Sequence, residues 1–220
     1  SDFGKYAKHT QHKYLQLIFQ KAPALVGQIL KYRRIDEETR SRDLKPALDL
    51  LCHAGLIQKI LATTAAGIPL HAHMKEDRFK LLYLDVGLLQ TATKVDATNF
   101  FEQEILQINA GMIAEQFVGQ ELLSYSPSYQ NAPLLFWEKS ESQAEVDFVI
   151  TVGSHILPIE VKAGATGRLR SLQSFLRDRK SPLGIRISEH GLSLHDKILS
   201  VPFYLLGFLD KLVLQALSMV

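Results

Sequence analysis

Apolar residues recur at helical spacing along the first part of the chain. Leu44, Ala47, Leu48 and Leu51 form the clearest stripe, at i, i+3, i+4 and i+7. Asp43 reads as the N-cap of this helix, Pro46 as part of its first turn, and Gly55 as the C′ residue that ends it. Tyr14, Leu17, Ile18 and Ala22 predict an earlier helix over residues 10–22, and a further helical stretch is predicted over 24–32. The polar run Asp36-Glu37-Glu38-Thr39 breaks the pattern between them. Residues 56–61 and 79–86 read as strands, with a turn-like Ala65-Ala66-Gly67 between. Helices followed by a two-stranded ribbon is the element order of a winged helix.

The second half is patterned differently. Residues 96–107 read as loop or short helix, and 109–125 as a helix that stops before Ser126-Pro127. Strands are predicted over 134–139, 144–152 and 155–163, a helix over 168–179 and a strand over 183–187. Short strands or loops lead to Ser200, and a final helix closes the chain. The second half is therefore α-β-β-β-α-β, and the whole is a mixed α/β protein, expected as a winged-helix-like part over 1–95 and a second domain over 96–220.

Composition supports a folded chain. Of 220 residues, 46% are hydrophobic and 22% charged, close to globular averages. A lone cysteine, Cys52, excludes an internal disulfide framework and multi-cysteine metal sites, and fits a cytoplasmic protein. No basic segment followed by an apolar run opens the sequence, so no signal peptide is expected. The most apolar stretch, 201–220, is interrupted by Pro202, Asp210, Lys211 and Gln215, so no membrane span is expected either. Charge is uneven. Residues 1–95 hold 15 Lys and Arg against 9 Asp and Glu, whereas 96–220 hold 10 against 14. Arg40, Arg42 and Lys45 stand at the start of the striped helix, where a helix-turn-helix contacts DNA. Winged helices also bind proteins, and chance alone produces such an asymmetry.

The chemistry concentrates in residues 145–164. Glu145, Asp147, Val149 and Thr151 share one strand face, and Val146, Phe148, Ile150 and Val152 the other. Gly153-Ser154 is a two-residue hairpin signal with Gly at the first central position, as a type II′ turn requires. Val152 then faces His155, Asp147 falls opposite Glu160, and Glu145 opposite Lys162. Carboxylates that face one another need a proton, a cation or a metal. Oxygen donors of this kind suit Mg²⁺, Mn²⁺ or Ca²⁺. Lys162 shares the face of Glu160 and can reach the same spot, so a local salt bridge would also hold these carboxylates. Glu115 lies in phase with Met112, Val118 and Leu122, an ionised group on an apolar stripe.

A helix Glu, an Asp, and Glu-x-Lys on adjacent strands resembles the PD-(D/E)XK nuclease superfamily, at Glu115, Asp147, Glu160 and Lys162. The wider sequence is more specific. D-F-G-K-Y, R-D-L-K-P-A-L-D-L-L-C-H-A-G-L-I, G-I-P-L, Y-L-D-V-G-L-L, A-E-Q-F-V-G-Q-E-L, E-V-D-F-V-I and P-I-E-V-K-A-G follow in order. Together they resemble the domain of unknown function at the C-terminus of predicted prokaryotic AAA-type ATPases. The resemblance implies a winged-helix-like part followed by a PD-(D/E)XK restriction-endonuclease-like core. It implies Mg²⁺ or Mn²⁺ held by Asp147 and Glu160 with the Val161 carbonyl, and Lys162 as a charge stabiliser. Glu115 would hold a metal-bound water or position Lys162. Arg168 and Arg170, at the start of the next helix, would meet phosphate. It implies an upstream ATPase module as partner. No G-x-x-x-x-G-K-[ST] loop is present, so this chain is expected to be a C-terminal fragment without ATPase activity of its own. An inactive docking or regulatory module for the ATPase is the competing expectation.

Other positions are weaker. His71, His73 and His155 read as surface histidines, and Cys52 as a small core residue. Leu205, Leu206, Leu209, Leu212 and Val213 read as a core stripe, or as a contact for a homo-oligomer if exposed.

Overall fold

A computed structural model describes residues 9–93, 103–125, 133–139, 144–164 and 168–220. The D-F-G-K-Y motif and Ser126-Pro127 lie outside these. Among the described residues, eight strands form one mixed sheet with helices on both faces. In chain order the elements are α1 (His9–Lys21), α2 (Tyr32–Ile35), α3 (Ser41–His53), β1 (Ile57–Thr63), β2 (Met74–Tyr83), α4 (Val86–Thr93) and α5 (Gln103–Ser124). Then follow β3 (Leu135–Glu138), β4 (Glu145–Val152), β5 (His155–Val161), α6 (Arg170–Arg179), β6 (Gly184–Ser188), β7 (Ser193–His195), β8 (Ile198–Pro202) and α7 (Leu209–Leu217). The strand order is β2-β1-β3-β4-β5-β6-β8-β7.

The stripe of α3 behaves as its spacing requires. Leu44, Ala47, Leu48 and Leu51 are all buried. The helix begins earlier than predicted, with Arg40 at the N-cap, so Asp43 lies in the first turn and Pro46 in the second. Gly55 takes φ +72°, its N–H donates to the Cys52 carbonyl at 3.0 Å, and that of Leu56 donates to the Leu51 carbonyl at 3.1 Å. These two bonds close the helix as a Schellman motif.

The helix predicted over 24–32 is not there. Ala22–Leu25 makes a short 3-10 turn around Pro23, and Gly27 adopts φ +75°, outside the helical region. Leu30 instead exchanges backbone hydrogen bonds with Phe79, N–H to O at 2.7 and 3.2 Å. A pairing between residues far apart in sequence wins over a local helical preference.

The β1–β2 ribbon is antiparallel, as its apolar runs predict, but it does not stand alone. β1 pairs in parallel with β3, through Leu61 to Leu135, Ala62 to Phe136 and Thr63 to Trp137. One apolar cluster runs from Leu15 and Ile18 of α1, through Leu48 and Leu81, to Phe148, Ile159 and Val213. A second, smaller cluster joins Trp137, Val146, Val149 and Phe175, with Trp137 and Phe175 packed edge-to-face at 5.1 Å between ring centroids.

β2 is buried on both sides from Phe79 to Tyr83. Phe79 and Tyr83 meet aromatic residues of the N-terminal helical part, Tyr32 and Phe19, at 5.0 and 5.9 Å. The alternate positions, Lys80 and Leu82, approach α5. The Gln116 side chain clips α5 to this strand. Its oxygen accepts from the Tyr83 N–H and its amide donates to the Tyr83 carbonyl, each at 2.8 Å.

Gly119, one turn from Glu115, packs closely on the sheet. A Cβ there would overlap Leu82 Cδ1 and come within 3.1 Å of Phe148 Cζ, whereas a Cβ on Gly111 would meet open space. Gly119→Ala is therefore expected to cost about 1–2 kcal/mol, overpacking outweighing the gain in helix propensity. Gly111→Ala is expected to gain about 0.5–1 kcal/mol from that propensity alone. Urea unfolding of both variants checks the contrast, and equal effects would contradict this packing.

Candidate functional site

The hairpin that carries the acidic residues takes the register its turn dictates. Val152 pairs with His155, and the ladder runs back through Thr151–Ile156, Ile150–Leu157 and Val149–Pro158 to Phe148–Ile159. Gly153 has φ +60°. Beyond Phe148 the strand departs from simple alternation. Between the β3 pairs Leu135–Val149 and Trp137–Val146, β4 holds one residue more than β3. This bulge falls at Asp147-Phe148. Val146 and Val149 consequently join one apolar cluster and Phe148 the other, where alternation would put Val146 and Phe148 together.

The bulge decides the partners of Asp147. Its Oδ2 accepts the Val161 N–H at 2.8 Å, and its Oδ1 lies 3.5 Å from Lys80 Nζ. Lys80 is the centre of the cluster, and only 1% of its side chain is exposed. Its ammonium donates to Glu115 Oε1 at 2.8 Å and is paired with Glu145 Oε1. It also lies 5.4 Å from the centroid of the Phe136 ring. Glu145 thus pairs with Lys80, not with Lys162 as the hairpin register predicts.

Glu160 is 7% exposed and has a different partner. Lys162 Nζ donates to its Oε1 at 2.6 Å, and its buried Oε2 has no hydrogen-bond partner. The electrostatics follow from burial. Burial works against the charge on Lys80, but Glu115, Asp147 and Glu145 together hold it protonated well above the ordinary lysine range. Burial pushes the Glu115 carboxyl up to about 8, against the pull of Lys80. Burial and the nearby Asp147 push Glu160 up to about 7.

Glu115 also borders a cleft. A cavity of about 640 Å³ is lined by Gln20, Val26, Gly27, Thr93, Met112 and Glu115. A side chain at Gly27 would come within 3.1 Å of Glu115 Oε2. A larger cleft, about 780 Å³ and lined by Ile68, Leu122, Leu134, Ile150 and Phe208, includes no member of the acidic cluster.

Glu115 and Asp147 therefore meet through Lys80, and Glu160 with Lys162 lies beside Asp147. Arg168 and Arg170 are exposed at the start of α6. The residue after Arg170, Ser171, accepts the Glu145 N–H at 3.4 Å through its hydroxyl, which brings the start of α6 to the start of β4. Arg40, Arg42 and Lys45 are exposed on the first two turns of α3 and its N-cap, in a different part of the fold.

Residues 110–205 match the family model of DUF4143, a domain of unknown function. Residues 1–99 match a second such model, DUF8612, also a domain of unknown function. No curated protein and no solved structure matches the chain. The DUF4143 segment contains Glu115, Glu145, Asp147, Glu160 and Lys162, and Lys80 comes from the DUF8612 segment. The acidic cluster is therefore composite.

Lys80 is the residue that sequence reasoning missed. Its signal was present: a single lysine inside the apolar run Phe79-Lys80-Leu81-Leu82-Tyr83. Cys52 is half-buried against the core, and burial pushes its thiol up to about 11. Among the described residues, no helix is long and apolar enough to cross a membrane.

Two outcomes follow. Lys80→Met is expected to cost about 3–5 kcal/mol, because it leaves buried carboxylates without their cation. Adding Glu115→Gln is expected to recover about 1–3 kcal/mol of that loss, measured as a double-mutant cycle by chemical denaturation. Additive losses would mean that the pair is not coupled. Cys52 thiolate is scarce below its raised pKa, so alkylation at pH 8 is expected to run about two orders of magnitude slower than for an ordinary thiol. The rate should rise about tenfold per pH unit toward pH 11.

Proposed function

We propose that this chain carries a metal-dependent phosphodiester-cleaving site of the PD-(D/E)XK kind, acting on nucleic acid. The observation that carries the reading is Glu160. A buried carboxylate beside Asp147, with one oxygen bonded to Lys162 and the other without a partner, is a donor in want of a hard cation. Asp147 and Glu160 would hold Mg²⁺ or Mn²⁺, with the Val161 carbonyl as a further donor. Such an ion, when bound, polarises the phosphate and acidifies a water.

The chain's own residues would do the rest. The Val161 N–H fixes Asp147 through Oδ2, while Oδ1 faces Lys80. Lys162, once released from Glu160, carries a positive charge to the scissile phosphate. Arg168 and Arg170 stand where the backbone of a nucleic acid would pass if it crossed the start of α6, and such contacts position without reading sequence. Arg40, Arg42 and Lys45 supply a second basic surface in the winged-helix-like part, suited to DNA. In this reading the chain works with an upstream ATPase module of the same protein and hydrolyses no ATP itself.

A second reading is favoured by a specific observation. Lys80 already compensates Glu115, Glu145 and Asp147, and among the described residues no three His, Cys, Asp or Glu side chains are arranged to hold a metal. On that ground the fold would serve as a docking or regulatory module without cleavage.

Calorimetric titration of Mn²⁺ separates the two. The wild type is expected to bind about one ion, and Asp147→Asn, which keeps an acceptor for Val161, to lose it. A screen with single- and double-stranded DNA and RNA would then show Mn²⁺-dependent cleavage that Asp147→Asn abolishes. No binding to the wild type would favour the docking module.

A further inference from the structure

A polar row runs from Glu160 to the edge of the sheet. Glu160 stands between Ile159 and Val161 on β5, Arg186 between Ile185 and Ile187 on β6, and Ser200 between Leu199 and Val201 on β8. All six flanking residues belong to the main apolar cluster, so the three polar residues lie on the opposite face. The register lines them up. Glu160 pairs with Arg186, Arg186 with Ser200, and Ser200 with Ser193 of the outermost strand, β7. Neighbouring strands lie ~4.8 Å apart, so the row spans about 14 Å.

The row is half sunk into the surface. Glu160 and Ser200 are buried, Arg186 is half-buried and Ser193 is exposed. Packing alone would favour apolar residues at such positions. α6 lies on the same face, because a Cβ on Gly184, two residues before Arg186, would meet the Leu172 side chain at 3.2 Å. Arg168 and Arg170 stand exposed at the start of that helix. Beyond Glu160 the row therefore offers a guanidinium and two hydroxyls, a donor set suited to phosphate oxygens.

We propose that this row is the track of a single-stranded nucleic acid across the sheet, with Arg186 on the phosphate next to the one at Glu160, and Ser200 and Ser193 on the backbone beyond. A guanidinium meets phosphate bidentately, which fixes the strand in place without reading its bases. The occupant is a single strand, because the row starts at a recessed residue beside α6, which a flexible strand reaches and a rigid duplex does not. Where the track leads rests on the nuclease reading of the site, and the track gives that reading its substrate class.

The test is fluorescence anisotropy of a labelled oligothymidine single strand, titrated with the whole chain in EDTA so that no metal enters. Arg186→Gln is expected to weaken binding about tenfold and to lower the slope of log affinity against log salt by about 0.7, the share of one phosphate contact on a single strand. Arg186→Lys, which keeps the charge, is expected to keep the slope. Ser193→Glu, at an exposed position where the fold is not at stake, is expected to weaken binding about tenfold by repulsion. A duplex held by Arg40, Arg42 and Lys45 is expected to bind all these variants alike. A wild type that does not bind the single strand overturns the proposal, and so does a Ser193→Glu variant that binds it unchanged. The two readings fail separately. Mn²⁺-dependent cleavage that Ser193→Glu and Arg186→Gln leave intact would remove the track and keep the nuclease. Single-strand binding that both variants weaken, in a chain that takes up no Mn²⁺, would keep the track and remove the nuclease.

Discussion

A lysine with almost no solvent contact organises this molecule. Moving an ammonium out of water is costly, and only close, well-placed carboxylates offset the cost. Lys80 obtains them from the far ends of the chain's architecture: one from the long helix that crosses the sheet, two from the strand beyond β3. Remove the lysine and three acidic side chains crowd one another. Remove the acids and a bare cation sits in an apolar wall. The docking of α5 onto β2, clipped at Gln116 and tightened at Gly119, has to place Glu115 within reach of that one nitrogen.

The same arrangement explains why the chemistry and the packing are hard to separate. Glu115 and Gly119 lie one helical turn apart on α5, and Lys80 and Leu82 lie two residues apart on β2. The helix-sheet contact therefore has a polar rung and an apolar rung of the same ladder. A change that shifts the helix by a fraction of an ångström would be felt first at the charges, because ion pairing falls off with distance and desolvation does not.

Much of the architecture was legible from pattern. The α3 stripe, the Gly55 stop and the α-β-β-β-α-β element order follow from periodicity and turn chemistry. The five-pair register of the hairpin follows from Gly153-Ser154 alone. Three things were not legible. The bulge at Asp147-Phe148 depends on β3, which has no local signature in β4. The stretch after Pro23 follows Leu30's pairing with Phe79, a contact between residues far apart in sequence. And Lys80, though set in an apolar run, has no identifiable partners until both faces of β2 are known to be covered. Sequence reasoning found the acids because acids on apolar faces look anomalous, and passed over the base that makes them tolerable.

The parallel pairing of β1 with β3 has a consequence for how the chain can be divided. The two family matches meet in the region between residues 99 and 110, which looks like a natural place to cut. Yet three consecutive residues of β1 are paired to β3 across that region. A piece ending there would leave β1 with an open row of backbone donors and acceptors, and the remaining piece would leave β3 likewise. Bare strands of this kind seek each other or further copies of themselves. The two segments are thus separable as text but not as solids: recombination could exchange them only between chains whose β1 and β3 still fit.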